Sequence, residues 1–149
     1  MIKKISWKKI YQIWQNHLWP GRLSAIEPTS AMLYIEGHDV RNMESVPTFF
    51  GYYLNNKLIG VNSGHICVDG SYRSRGLWVD PIYRGQGYGK ELLLETIEQG
   101  KYEQSNHIWS YPRKTSWTTY QSVGFNLGSK WQASETSESN AFCFLDLKS

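Results

Sequence analysis

Cysteine is scarce: Cys67 and Cys143 are the two in 149 residues, each in an apolar, strand-like context. Both are expected to be reduced and buried. Together with four scattered histidines they give no ligand spacing for a metal site, so no metal is expected. No apolar run approaches the ~20 residues that cross a bilayer. The start, MIKKISWKKIYQIW, carries lysines but no long apolar core and no small-residue cleavage site. It is therefore read as part of the fold and not as a secretion signal. These absences set the expectation of a cytoplasmic protein that does not enter a membrane. Internal repeats are lacking too, and nothing divides the chain, so residues 1–149 are expected to form a single domain.

What is present fits a globular protein. Hydrophobic residues make up 40% and charged residues 19%. The net charge of +3 is mildly basic, with four lysines in the first nine residues. That suits a polyanionic ligand, and it suits a solvated helix face equally well; nucleic-acid binding is not required by it. Aromatic residues reach 15%, including seven tryptophans, enough to fill a core and leave some to line a cleft.

Residues 2–5 read as a short strand. From Ser6, the residues Trp7, Ile10, Tyr11, Trp14, His17 and Leu18 recur at helical spacing, and Pro20-Gly21 ends the pattern. The segment 18–42 is broken by Pro20, Gly21, Pro28 and Gly37, which predicts loops with one short element. Thr48–Leu54, Lys57–Cys67 and Tyr72–Val79 read as three antiparallel strands. They are joined at Asn55-Asn56, a pair that tolerates positive φ, and at Asp69-Gly70. A helix opening near Gln86 offers Leu92, Leu93, Thr96 and Ile97 to the sheet, with Gly100 as its C-terminal cap. His107–Tyr111 follows as a strand, parallel to the one ending at Val79. Thr115 or Ser116 caps a short helix that Gly124 closes. Residues 125–132 and 141–147 form a final strand pair around a polar loop with no apolar anchor, expected to be mobile.

The informative stretch is RGLWVDPIYRGQGYGKELLLETIE, residues 75–98. An apolar strand is stopped by Asp80-Pro81 and followed by Arg84-Gly85-Gln86-Gly87-Tyr88-Gly89-Lys90. Three glycines at alternate positions let a ligand approach the backbone. The first amides of the helix lack intrahelical partners and sit at the positive end of its dipole. With Arg84 and Lys90 added, the segment reads as a phosphate or pyrophosphate site. The dinucleotide fingerprint would need glycine where Lys90 stands, and the nucleotide P-loop would need glycine at Arg84 and a hydroxyl at Glu91. Both fail, leaving R-x-x-G-x-G at Arg84, Gly87 and Gly89.

That motif, directly after a strand ending Val-Asp-Pro, resembles the coenzyme A pyrophosphate loop of the GNAT superfamily of N-acetyltransferases. Tyr120-Gln121-Ser122-Val123-Gly124-Phe125 resembles the same family's Y-x-x-x-G-F segment, in the expected place. The resemblance spans nearly the whole chain. It implies an α/β fold (a mixed α+β sheet): a central, mostly antiparallel sheet with one parallel crossover around the glycine-rich loop, flanked by helices. Arg113 and Ser116 stand where the family often has Asn and Ala, so the contacts near Arg113 depart from its pattern.

The function implied is transfer of an acyl group, chiefly acetyl, from acetyl-CoA to the amine of a small molecule or peptide. Leu77, Trp78 and Val79 would pair with the pantetheine arm, and the backbone of Gly85, Gln86, Gly87, Tyr88, Gly89 and Lys90 would hold the pyrophosphate with Arg84. Tyr120 matches the family's general acid, or donor of a hydrogen bond to the departing thiolate; a core tyrosine is its other reading. The base is not identified. His65 is a candidate because histidine titrates near neutrality, with Glu27 and Glu36 behind it; Asp80 reads as a turn residue. Trp109, Tyr111, Trp117 and Trp131 are candidates to line an acceptor site or the core. Final strands of this fold often make dimers, so a homodimer is compatible with the resemblance. The competing reading is a coenzyme A-binding protein without turnover; a nucleic-acid binder is the weaker third.

Overall fold

The structure, a computed structural model, describes residues 1–29, 44–133 and 139–147. Glu36 and residues 134–138 of the polar loop lie outside them. Seven strands form one sheet: β1 (Ile2–Lys4), β2 (Thr48–Leu54), β3 (Lys57–Ile66), β4 (Tyr72–Val79), β5 (His107–Ser110), β6 (Asn126–Leu127) and β7 (Cys143–Asp146). Their order across the sheet is β1-β2-β3-β4-β5-β7-β6. Every neighbouring pair is antiparallel except β4 and β5, the crossover pair. Among the described residues three α-helices flank it: α1 (Trp7–Ile13), α2 (Tyr88–Tyr102) and α3 (Trp117–Ser122). No helix among the described residues is long and apolar enough to cross a membrane.

Alternation along β4, shifted by one residue at the irregularity between Arg75 and Trp78, separates the two faces of the sheet. Tyr72 points toward α2 and α3, in a cluster with Leu93, Ile97, Ile108, Tyr120, Phe125, Cys143 and Leu147. Trp78 points the other way, into a cluster with Ile10, Trp14, Phe49 and Val61 under α1. The buried residues of α2 are Leu92, Leu93, Thr96, Ile97 and Gly100, so the apolar stripe read from the sequence is the one that packs. Cys67 and Cys143 are free thiols in the interior.

Strands β2 to β4 form the expected meander, with Asn55 and Asn56 both at positive φ (47° and 65°). Several boundaries differ from expectation. Gly100 is not a cap. It lies inside α2, where a Cβ would come within 3.1 Å of the Tyr72 ring, and the left-handed residue that follows the helix is Gln104 at φ 65°. Tyr72 crosses under α2 there and donates its hydroxyl hydrogen to Glu103 Oε2 at 2.6 Å. Helix α2 begins at Tyr88, two residues later than read, because Gly87 sits in the left-handed region at φ 90°. Ser116 occupies the cap position of α3 in helical geometry and makes no capping bond; a short 3-10 turn, Lys114–Ser116, leads into the helix instead. Strand β6 is two residues long, with one further bridge from Gln132 to Asn140. The Phe144 ring occupies the space beside Gly128, where a Cβ would fall 2.0 Å from it.

The feature that shapes the rest is a bulge in β4. Val61 pairs with Trp78 and Ser63 with Arg75, so Asn62 faces both Gly76 and Leu77. Gly76 takes φ 78°, and the Trp14 indole lies against it, donating from Nε1 to Gly76 O at 2.9 Å. A Cβ at Gly76 would sit 2.3 Å from that indole. Trp14 also begins a π-helical turn, Trp14–Leu18, that ends α1; Trp19 N donates to Trp14 O at 2.7 Å to close it. Such turns re-aim side chains and are frequent at functional sites.

Gly76→Ala must therefore force both a left-handed alanine and a displaced tryptophan. It is expected to cost roughly 2–5 kcal/mol of stability, measured by urea unfolding, whereas Gly85→Ala, with nothing within 4 Å of its added carbon, should cost about 1–2 kcal/mol for the φ change alone. Equal losses in the two variants would refute the role given to Trp14.

Candidate functional site

Past Arg73 and Trp109, β4 and β5 separate. Their paired residues are Tyr72 with Ile108 and Arg73 with Trp109. Strand β5 ends at Ser110, while β4 runs on to Val79. The backbone of Leu77–Val79 thus keeps one edge without a strand partner among the described residues. At its end Asp80 caps a 3-10 turn, Pro81–Tyr83, accepting from Ile82 N at 3.1 Å. The chain then enters the glycine turn, which has two residues at positive φ, Gly85 (77°) and Gly87 (90°). Neither has an atom within 4 Å of where a Cβ would stand, so both face open space. Gly89 differs: it is helical and lies 3.5 Å from Val79 Cγ2 and 3.6 Å from Thr119 Cγ2 by the same measure. A Cβ there would make ordinary contact with both, so packing alone does not require glycine at this position.

The first helical bond of α2 runs from Glu91 N to Gly87 O at 3.1 Å. The amides of Tyr88, Gly89 and Lys90 precede it and point out of the helix start. Arg84 is anchored through Nε, which donates to Val79 O at 2.7 Å. Its outer nitrogens have no partner among the described residues and remain available to an anion.

These parts line one cleft of ≈ 510 Å³. Of the residues singled out in the sequence, Leu77, Trp78, Val79, Arg84, Gly85, Gly87, Tyr88, Gly89 and Lys90 are on its wall; Gln86 is exposed and is not. The opposite wall comes from α3 and the segment before it, with Arg113 and the hydroxyls of Thr115, Ser116, Thr118, Thr119 and Ser122. His17 and Leu18, from the π-helical turn, complete it. Three cations (Arg84, Lys90 and Arg113) and no carboxylate line the cleft among the described residues, so it favours an elongated anion.

Sequence reasoning gave His17 to a helix face and missed its place on the cleft. The π turn sets it there, with its ring stacked on Trp78 at 4.8 Å and 22°. Arg113 spans the cleft, donating from Nη2 to Leu18 O, which gives the residue at the departing family position a structural task.

Tyr120 and His65 are both off the cleft wall. Tyr120 is buried, edge-on to Phe125 at 5.3 Å. Its Oη lies 3.3 Å from Ser110 Oγ, which donates to Ser74 O at 2.7 Å. That group of hydroxyls stands where β4 and β5 begin to part. Burial pushes the Tyr120 phenol up to about 12, while the hydroxyls of Ser110 and Ser74 and the Arg73 charge pull the other way. His65 is fully buried in β3, paired with Arg73 across the ladder. Burial, and then the Arg73 and Arg75 guanidinium groups, push its imidazole down to about 3. Glu27 contributes its backbone carbonyl, which accepts from Arg75 Nη1 at 2.6 Å. Of the four aromatic candidates, Trp109 is core, fully buried and bonded through Nε1 to Ser71 Oγ at 3.1 Å. Trp117 and Trp131 meet edge to face at 6.3 Å on the partly exposed surface, and Tyr111 packs on Phe142 at 4.6 Å. No group of three or more His, Cys, Asp or Glu among the described residues could hold a metal ion.

Comparison with known proteins gives a family model, "Acetyltransferase (GNAT) family", matching residues 8–125. Among solved structures, the ribosomal-protein-S18-alanine N-acetyltransferase of Escherichia coli is 16% identical, with a TM-score of 0.66 over 100% of this chain and 94% of that one. An acetyltransferase from Bacillus cereus ATCC 14579 is 19% identical, with a TM-score of 0.62 over 69% and 74%. Nourseothricin acetyltransferase is 17% identical, with a TM-score of 0.60 over 68% and 66%. These likenesses are of fold. No curated protein matches the sequence.

The His65 environment predicts a pH dependence of stability. An unfolded imidazole takes up a proton below its ordinary value of 6.5, whereas the folded one does so only near 3. Its contribution is complete above pH 6.5 and is lost progressively as pH falls toward 3. Urea titrations between pH 7 and about 4.5 should show a shallower loss in His65→Asn than in the wild type; identical slopes would contradict a neutral, buried imidazole.

Proposed function

Because the chain belongs to the acetyltransferase (GNAT) family, we propose that it transfers an acetyl group from acetyl-CoA to an amine, by direct attack of the amine on the thioester. Acyl transfer is the chemistry of that family. The observation that carries the reading is the parting of β4 and β5 beside a glycine turn whose helix-start amides face the same cleft. We take residues 1–149 as one catalytic unit, since all seven strands belong to one sheet.

In this reading the pyrophosphate of the donor lies on the amides of Tyr88–Lys90 and the Arg84 guanidinium, where charge and dipole act together. The pantetheine arm lies along the free edge of Leu77–Val79, adding a strand-like partner. The thioester then reaches the hydroxyl group of Tyr120 at the base of the divergence. Holding thioester and amine together supplies about 7–11 kcal/mol of the barrier. A lysine-type amine has a pKa of about 10.4, so about one molecule in a few thousand is neutral at pH 7; selection of that form is part of the cost.

Tyr120 is assigned to the sulfur. With its phenol near 12 and a thiol near 8.5, full transfer of its proton is uphill by roughly 5 kcal/mol. We therefore assign it chiefly a hydrogen bond to the departing thiolate. His65, neutral and enclosed, receives no proton-transfer role here. The acceptor is an amine on a small molecule or a peptide. Two structural neighbours are named for acceptors as different as nourseothricin and a ribosomal-protein alanine, so the fold does not choose between them.

A second reading, coenzyme A binding without turnover, has one observation in its favour: no carboxylate stands on the cleft wall among the described residues. Calorimetric titration with acetyl-CoA, followed by thiol release with a panel of amines, separates the two. The wild type should bind in the micromolar range, roughly −8 kcal/mol, and Gly87→Glu, whose side chain enters open space in the turn, should lose binding while staying folded. Tyr120→Phe should bind normally and turn over roughly 10- to 100-fold more slowly. Binding with no thiol release from any amine would favour the second reading, and no binding by folded wild type would defeat both.

A further inference from the structure

Where β4 and β5 part, the last paired residues are Arg73 and Trp109, and the next residue of each strand is a serine. Ser110 is 2% exposed and Ser74 fully buried. Ser74 Oγ is fixed by Asn62 Nδ2, which donates to it at 3.0 Å and to Thr96 Oγ1 at 2.9 Å. Ser110 Oγ lies between two oxygens, 2.7 Å from Ser74 O and 3.3 Å from Tyr120 Oη. A hydroxyl has one hydrogen to give. The shorter contact, to a carbonyl that can only accept, takes it. With that hydrogen committed to Ser74 O, the 3.3 Å contact is left for the Tyr120 hydroxyl to donate to Ser110 Oγ.

We infer that Ser110 is a positioning residue for the leaving-group step, its hydroxyl turning from Ser74 O to Tyr120 Oη as the thioester sulfur departs. The inference rests on the reading of the cleft as an acetyl-CoA site with Tyr120 facing the sulfur. As the tetrahedral adduct collapses, the amide C–N bond is kept and the C–S bond breaks, with its electron pair going to sulfur. Tyr120 turns its O–H toward that sulfur and shares or delivers the hydrogen. Ser110, rotated about its Cβ–Oγ bond, donates to the phenol oxygen, which is gaining negative charge. The proton lost by the amine leaves to solvent, and solvent restores any proton that Tyr120 has given. Ser110 keeps its own hydrogen throughout. The groups facing Tyr120 are few: Ser110 from β5, Ser74 and Arg73 from β4, and Cys143 from β7. Ser110 and Ser74 are both neutral hydroxyls, and Ser110 is the one whose hydrogen is held by a carbonyl, Ser74 O, and is released to the phenol by one bond rotation.

Coenzyme A itself serves as the probe, because its thiolate is the leaving group and no acceptor is needed. The titration of the bound thiol, followed by thiolate absorbance against a desulfo-coenzyme A blank, reads how well the protein stabilises that anion. Ser110→Ala should raise the bound thiol's pKa by about one unit, a tenfold loss of thiolate at a given pH, while binding of the protonated thiol at low pH is unchanged. Ser110→Thr and Ser110→Val share a shape and differ in the hydroxyl; Thr should titrate like the wild type and Val like Ala, which removes packing damage from the comparison. Tyr120→Phe should raise the pKa at least as far, with no further rise in the double variant. A shift in Tyr120→Phe with none in Ser110→Ala or Ser110→Val would overturn the role of Ser110 and leave that of Tyr120 standing. No shift in any variant would overturn both, and failure of wild type to bind coenzyme A would remove the site on which the inference rests.

Discussion

The contact between the Trp14 indole and Gly76 is the constraint on which the rest of the architecture depends. It fixes a left-handed residue in the middle of β4, and with it the bulge that offsets β4 from β3. The bulge lies just past the last β4–β5 pair, Arg73 with Trp109, and so sets the backbone of Leu77–Val79 that continues along the cleft. The same tryptophan starts the π-helical turn that carries His17 onto Trp78 and Leu18 onto Arg113. One side chain thus links the bulge in β4 to the turn that forms part of the cleft wall. A buried tryptophan suits the task, combining a large apolar surface with a single N–H that needs one acceptor.

The α1 face of the sheet has a second, electrostatic character. Arg73 and Arg75 are both buried on it. Arg75 is held between aromatic faces, 4.9 Å from the Trp14 ring centre and 5.0 Å from that of Trp19, and Arg73 stands 4.5 Å from that of Trp109. Burial of such charges is expensive, and ring faces recover part of the lost hydration. The abundance of tryptophan in the composition finds a physical reason here: three of the seven act as partners for guanidinium groups as well as filling space. Burial, reinforced by these two cations, holds His65 neutral, separating it from the proton chemistry for which its residue type first suggested it.

Much of the fold was legible because local chemistry and tertiary environment agree. Strands β2 and β4 have the limits that their turns and composition suggest, and the stripe Leu92-Leu93-Thr96-Ile97 packs as its spacing implies. The glycine turn was legible as a turn, since Gly85 and Gly87 both take positive φ and face open space. What was not legible depends on partners distant in sequence. Gly100 reads as a helix stop until Tyr72 is placed against it. His17 reads as a helix-face residue because a π turn leaves no mark in hydrophobic spacing. Ser110 carried no signal at all; its meaning comes from two oxygens contributed by β4 and α3.

The central claim is that the parted strands and the helix start form one binding surface for coenzyme A. Amide hydrogen exchange with and without coenzyme A tests it most directly, since it reads the backbone groups said to make the contacts. The account predicts slowed exchange in two separated segments at once, Leu77–Val79 and Tyr88–Lys90, with β2 unchanged. Slowing in neither segment, or only at a remote surface such as the hollow lined by Lys3, Lys4 and Tyr53, would contradict it.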